Sequence, residues 1–157
     1  MRIRVFQFLE IVLTAVLACG WFYEWMGFMR ASISLPGPVY IEVRQALAGT
    51  FMKQIPRISI AAVVSQSIAT LSARRRRSPS FGLSLLGLVC LVAACISTLR
   101  VNVPINRQMD TWSSGALPSN WTELRDRWNR YHTFRTILSM LSFACQVLAA
   151  LLDKRSA

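Results

Sequence analysis

The chain has 157 residues, of which 54% are hydrophobic and 16% are charged, with a formal net charge of +11. The charged share is well below the quarter or so that is usual in soluble domains, and high hydrophobicity excludes a disordered chain. The length allows one domain. The apolar residues fall in long blocks, which argues against an ordinary soluble fold.

Four apolar blocks are long enough to cross a bilayer, which takes about 20 residues. We predict one all-α transmembrane domain over residues 1–157, a four-helix bundle with two extramembrane segments that contain short helices. For the first block a cleaved signal peptide is the alternative, which the aromatic end of the block disfavours. The predicted spans are about 5–26, 55–73, 81–99 and 133–152.

The basic residues predict the orientation of the bundle. The two termini and the run Arg74 to Arg77 carry eight positive charges in three very short segments on one side. The positive-inside rule therefore predicts cytoplasmic termini in a plasma or inner membrane. We expect the basic run to act as a topology anchor that contacts anionic lipid. No nucleic-acid-binding motif accompanies it, so no nucleic-acid partner is expected.

The first outer segment contains the turn Leu35-Pro36-Gly37-Pro38, followed by a helical pattern from Val39 to Phe51. The three- and four-residue spacing predicts a short amphipathic helix at the bundle mouth. Glu42 and Arg44 fall on its other faces and are predicted to be solvated. The predicted apolar face consists of Tyr40, Val43, Leu47 and Phe51.

The second outer segment opens with Asn102 and Asn106 on either side of Pro104. Because proline lacks an N–H and restricts the preceding residue, we predict non-helical backbone here, near membrane depth. Such backbone is tolerated where it is buried or lines a cavity, and asparagine amides can satisfy it. The two asparagines either line a site or cap a helix-terminating turn.

The last span is predicted to be part of one long helix that begins near Trp121, after a capping-box-like Asn120-Trp-Thr-Glu123. Helical spacing places Trp128, His132 and Arg135 on one face. Ionisable residues at that depth indicate a functional site, since they are expensive to place there. The alternative is a snorkelling arginine and an interfacial histidine.

These residues resemble a known family. Asn102-x-Pro104-x-Asn106, a tryptophan, and Trp128-x-x-x-His132-x-x-Arg135 before a last span are similar to the anthrone-oxygenase-like family of small four-span membrane proteins. The resemblance covers nearly the whole chain in span layout, and its specific part is residues 102–135. It implies oxidation of an anthrone to an anthraquinone with O2 as co-substrate and no evident cofactor.

We tested that chemistry against the residues. His132 is the side chain suited to base catalysis near neutral pH, and Arg135, Asn102 and Asn106 could stabilise an enolate oxygen. One histidine without clustered carboxylates cannot build a non-haem iron triad, whereas a haem with a single histidine ligand stays open. Aromatic side chains could stack on a flat hydrophobic aromatic substrate. These side chains are Trp112, Trp128 and Tyr131.

Two other classes of protein remain open. One is a non-catalytic membrane bundle that binds a lipid, a hydrophobic small molecule or a partner protein. The other is a transporter subunit, which is disfavoured because the spans hold few charges and no internal repeat. Four short spans also suit a homodimer.

Overall fold

A computed structural model describes residues 2–51, 54–74 and 80–152. The described residues form five helices, which we number in chain order: α1 Arg2–Glu24, α2 Gly37–Phe51, α3 Ile55–Arg74, α4 Ser80–Ser97 and α5 Trp121–Leu152. Two of them continue beyond a π-helical turn. α1 runs through Trp25–Met29 into Arg30–Ser32, and α4 runs through Thr98–Asn102 into Val103–Met109.

The all-α class and the four long apolar helices are confirmed. These helices are long and apolar enough to cross a membrane, which makes the chain a multi-pass membrane protein. Three of them extend beyond the predicted apolar blocks, because a helix continues past the last apolar residue when its polar end packs on a neighbour. The second keeps its predicted bounds of 55–73. The candidate spans are Val5–Ser32, Ile55–Ala73, Ser80–Met109 and Trp121–Leu152.

The four long helices form a ring in which α1 packs on α3 and α5, and α4 packs on the same two helices. Contacts between Ser84 and Gln146 at one end, and between Asn102 and Trp128 at the other, show that α4 and α5 are antiparallel. The bundle core lies between α1, α3 and α4 and combines small with large side chains. It contains Leu17, Trp21, Ala62, Leu91 and Ala94.

A second cluster closes one end of the bundle, which we call the mouth. Here α2 and the continuation of α4 pack against α5, with Phe28, Trp112 and Trp121 around them. This cluster anchors the one helix that does not span, since burial of its aromatic residues removes a large apolar area from water. Its buried members are Tyr40, Ile41, Val101, Ile105, Met109 and Trp128.

The predicted apolar face of α2 is wrong except for Tyr40. Val43 and Leu47 are exposed, whereas Ile41 and Arg44 are buried. The side chain of the fourth predicted member, residue 51, lies outside the described side chains. The Tyr40–Arg44 face of α2 points inward because Arg44 finds polar partners, Asn106 and Glu24, at the mouth. Hydrophobic spacing alone does not predict this orientation.

The prediction of non-helical backbone from Asn102 to Asn106 is also wrong. The chain is π-helical up to Asn102 and α-helical from Val103 to Met109. The Val103 N–H reaches back five residues to the Thr98 carbonyl. This wider turn shifts the hydrogen-bond ladder just before Pro104, so the proline stands in the first turn of a helical segment, where its missing N–H is tolerated.

Most of the predicted basic anchor, Arg74 to Arg77, lies outside the described residues, as do Lys154 and Arg155. Glu123 and Asn120 do mark the start of a long helix, since α5 begins at Trp121 and continues to Leu152.

Gly87 lies at a close approach between α4 and its neighbours. A Cβ at this position would lie 2.7 Å from Gln146 Nε2, 3.1 Å from Gln66 Nε2 and 3.2 Å from Cys145 Cβ. Both glutamines are buried, so neither amide can move into solvent. Small residues at such contacts allow membrane helices to approach closely.

We therefore expect Gly87→Ala to lower the free energy of unfolding by about 1–3 kcal/mol through overpacking. Gly82→Ala on the same helix is the matched control, since a Cβ there meets nothing within 4 Å. Thermal unfolding in detergent, followed by circular dichroism, compares the two. Equal midpoints for both variants would contradict the close packing at Gly87.

Candidate functional site

The structure brings together polar and aromatic side chains at the mouth of the bundle. The Trp128 indole and the His132 imidazole are stacked, with centroids 4.7 Å apart and an interplanar angle of 8°. Both come from one face of α5, one turn apart, and both are buried. We define the mouth site as Glu24, Arg44, Asn106, Trp128, His132 and Arg135.

Both ring nitrogens of His132 are engaged. Arg135 donates to Nδ1 from Nε at 3.0 Å and from Nη2 at 2.6 Å. Because an arginine can only donate, Nδ1 accepts and carries no proton. Nε2 lies 3.1 Å from the Trp21 carbonyl oxygen and donates to it. His132 is thus a neutral imidazole with its proton on Nε2, and it is 0% exposed.

Arg44 enters the site from α2 and was not among the predicted site residues. Its guanidinium carbon lies 3.9 Å from the centroid of the Trp128 ring, in a cation–π arrangement. Its Nη2 donates to Asn106 Oδ1, which also accepts from the Trp128 indole nitrogen at 2.8 Å. Asn106 therefore ties α2 and α5 to the continuation of α4.

Glu24, at the end of α1, is the carboxylate of the site. Its Oε1 lies 3.6 Å from Arg44 Nη1, and its Oε2 lies 3.6 Å from Arg135 Nη2 and 3.8 Å from His132 Nδ1. Both guanidinium groups are buried, whereas the Glu24 side chain is 32% exposed. With a neutral imidazole, two cations and one anion give the site a nominal charge of +1.

Arg135 lies between two indole rings. Its guanidinium carbon is 5.0 Å from the Trp21 centroid and 5.4 Å from the Trp128 centroid, and its Nη1 donates to Thr98 Oγ1 at 3.4 Å. Trp21 is itself buried here, so its indole is shielded from solvent. An indole face beside a desolvated guanidinium stabilises the cation where water cannot.

Asn102 lies beside the site but is completely buried. Its amide nitrogen donates to the Trp128 carbonyl oxygen at 3.2 Å, so it supports the helix that carries Trp128. Its Oδ1 has no hydrogen-bond partner among the described residues. In this conformation Asn102 positions the backbone of α5, and Asn106 is the asparagine that contacts Arg44.

The two other predicted substrate contacts are separated by the structure. Trp112 is half-buried and packs against the mouth cluster, and its carbonyl oxygen accepts from Gln45 Nε2 at 2.9 Å. Tyr131 is 37% exposed on another face of α5. Trp112 therefore borders the mouth, whereas Tyr131 is turned away from the stacked Trp128 and His132.

Of the two site residues that the sequence analysis does not predict, only Glu24 carries a signal in the sequence. Glu24 is a carboxylate at the end of a long apolar block, one turn after Trp21, and a charge at that depth is a sign of function. Arg44 carries no such sign, because an arginine on a short outer helix is usually solvated. Both α1 and α4 have a π-helical turn near the mouth site. Such turns are frequent at functional sites.

Over residues 2–51, 54–74 and 80–152, no group of three or more His, Cys, Asp or Glu side chains is placed to hold a metal ion. His132 also has no ring nitrogen free for a haem iron in this conformation. Burial raises the pKa of the Tyr40 phenol, which keeps it protonated beside the site. What the arrangement offers is a pair of buried cations, a partly exposed carboxylate and aromatic faces.

Fold and site together define a membrane-embedded helical bundle with an ionic and aromatic cluster at its mouth. A family model described as anthrone oxygenase matches residues 46–145. The chain belongs to this family. No curated protein and no solved structure gives a match. The matched range includes Asn106, His132 and Arg135, whereas Glu24 and Arg44 lie before it.

Asn106 gives a direct test of the geometry. We expect Asn106→Leu to destabilise the bundle, because a buried guanidinium and a buried indole N–H lose their acceptor at about 1–3 kcal/mol per group. Asn106→Asp keeps an oxygen acceptor and adds a negative charge beside Arg44, so its unfolding midpoint should stay near that of the wild type. Thermal unfolding in detergent measures both. Equal stability of the two variants would argue against the shared acceptor.

Proposed function

We propose that this protein is a membrane oxidoreductase, a monooxygenase that oxidises an enolisable aromatic carbon acid of the anthrone type with O2. The observation that carries the proposal is the convergence of two buried guanidinium groups, Arg44 and Arg135, on one partly exposed carboxylate beside stacked aromatic rings. Membership of the anthrone oxygenase family supports the choice of substrate class.

The reaction makes few demands on a protein. The methylene of an anthrone lies between two aromatic rings, and loss of a proton delocalises the electron pair onto the carbonyl oxygen. The enolate is electron-rich enough to reduce O2, and the resulting hydroperoxide loses water to give the quinone. One substrate and one O2 become one anthraquinone and one water. The protein has to provide a base, a site for the oxyanion and an apolar surface.

Arg44 and Arg135 suit the oxyanion. Both are buried, so a negative charge that develops near them interacts with little screening by water. Donors that are already fixed in place need no reorganisation when that charge appears. Arg135 is fixed by His132 Nδ1 and Thr98, and Arg44 is fixed by Asn106 and the Trp128 ring.

The half-buried Trp112 at the edge of the mouth suits a flat ring system. We propose that Trp112 borders the substrate, that the buried Trp128 supports Arg44 and His132 behind it, and that O2 is the co-substrate without an organic cofactor. In this scheme the first contribution of His132 is to position Arg135. For His132 to act as the base, Arg135 would first have to release Nδ1.

We also propose that the bundle lies in a plasma or inner membrane with both termini in the cytoplasm. The support is the density of basic residues in the short segments of that side. The mouth site then lies at the outer end of the bundle, and an apolar substrate reaches it from the bilayer or from the outer surface.

Orientation is tested by introducing Arg76→Cys and labelling with a membrane-impermeant maleimide. We expect labelling above the background of the parent, which retains its native cysteines, only after the cells are permeabilised. Labelling of the introduced cysteine in intact cells would reverse the topology.

Activity is tested with anthrone in aerated detergent solution and purified protein. We expect anthraquinone formation above the rate of autoxidation, and a loss of about 10²-fold in Arg135→Lys, since the single nitrogen of a lysine cannot reproduce the planar fork that contacts His132 Nδ1 while a further N–H faces the oxyanion. Arg130→Lys on the exposed face of the same helix is the matched control and should keep the wild-type rate. A wild-type rate no higher than that of buffer would refute the function.

A further inference from the structure

We propose that Glu24 is the base that removes the proton from the carbon acid, with Arg44 and Arg135 receiving the negative charge that moves to the substrate oxygen. The assignment rests on the proposed function. The family match begins at residue 46, so neither Glu24 nor Arg44 lies within the range that it covers.

Access distinguishes Glu24 from the other proton acceptors nearby. The His132 ring is 0% exposed, with Trp128 stacked on one face and a partner on each nitrogen. Tyr40 is also buried, and its hydroxyl contacts Met109 Sδ. Glu10 is buried 14 residues earlier in α1, about 21 Å along the helix. The Glu24 side chain is 32% exposed while it contacts the buried cations.

Distance also favours Glu24. Its oxygens lie 3.6 to 3.8 Å from Arg44, Arg135 and the imidazole, which is longer than a hydrogen bond. Within the part of the chain that the structure describes, the carboxylate is therefore held by charge rather than saturated by close donors, and its lone pairs can accept a proton. A general base must come within hydrogen-bond reach of the proton that it removes.

The position of the charges separates Glu24 from His132 most clearly. When Glu24 takes the proton, its negative charge disappears and one appears on the substrate oxygen, beside the same two guanidinium groups. The nominal total of +1 is the same for either base, but with Glu24 no additional cation forms. If His132 took the proton, an imidazolium would form with Arg135 nitrogens 2.6 and 3.0 Å from Nδ1. Like charges so close and so deeply buried are unfavourable.

The C–H bond of the substrate methylene breaks, an O–H bond forms on Glu24, and the electron pair moves to the carbonyl oxygen. The methylene carbon then forms a C–O bond with O2, which is reduced to a peroxide and takes up a proton from water. The second C–H bond and the O–O bond break, and water leaves to give the quinone. The exposed part of the Glu24 side chain lets the proton pass to water, which regenerates the carboxylate.

The test isolates proton removal from oxidation. Anthrone is incubated in D2O without O2, and deuterium uptake at its methylene is followed by NMR, with the rate in buffer subtracted. We expect wild-type protein to accelerate uptake, Glu24→Gln to lose about 10²-fold or more, and Glu24→Asp to lose less, because it keeps the charge but withdraws it by one methylene. Glu123→Gln, at an exposed acid in the first turn of α5, is the matched control with an unchanged rate.

Chemical rescue distinguishes a base from a counterion. In Glu24→Ala, added formate or acetate should restore exchange, more strongly for the more basic acetate, whereas chloride should not. Equal rescue by chloride would show that Glu24 serves only to balance the arginines. If Glu24→Gln and Glu24→Ala do not fold, Glu24→Asp decides, because it keeps the charge: a wild-type exchange rate in this variant would overturn the proposal.

The same assays separate this proposal from the proposed function. Wild-type oxidation in air, together with normal exchange in Glu24→Gln and lost exchange in His132→Ala, would reject Glu24 as the base and leave the oxygenase intact. Neither exchange nor oxidation by the wild type would reject the oxygenase itself.

Discussion

Two buried guanidinium groups at the mouth of the bundle constrain everything around them. Removing an ion from water costs several kcal/mol even after the protein relaxes, so Arg44 and Arg135 must find compensation from the protein. They find it in one shared carboxylate, one asparagine oxygen, one imidazole nitrogen and the faces of two indoles. α2 lies across the mouth with its arginine inward because these partners come from three other helices.

This constraint explains which parts of the fold could be predicted. Membrane spans depend on local hydrophobicity, and a shared face such as that of Trp128 and Arg135 depends on the geometry of a single helix. Both were therefore accessible from the sequence. The buried face of α2 and the helical path through Pro104 depend on partners far away in the chain, namely on Asn106 and on a π-helical turn that shifts the ladder before the proline.

The site divides in the same way. Helical spacing predicts the half of the site that α5 carries, and the position of Asn106 two residues after Pro104 predicts that residue. The other half could not be predicted, because Glu24 and Arg44 come close to each other only when α1 and α2 pack near Trp128. Burial also changes the roles of two predicted residues. Asn102 donates to the backbone of α5, and His132 accepts from Arg135 and so positions it. Sequence spacing can place side chains on a face, but it cannot tell which of them remain open to a substrate.

The charge distribution of the mouth links the stability of this bundle to its chemistry. With Glu24 ionised, the two arginines are compensated and the resting site is stable. In the proposed reaction a neutral ketone would gain little there, because it brings no charge to exchange for that of the carboxylate. An enolate would take over the role of the counterion at the moment when Glu24 becomes neutral. The same pair of cations would then interact more strongly with the reacting species than with the substrate, and a difference of that kind lowers a barrier.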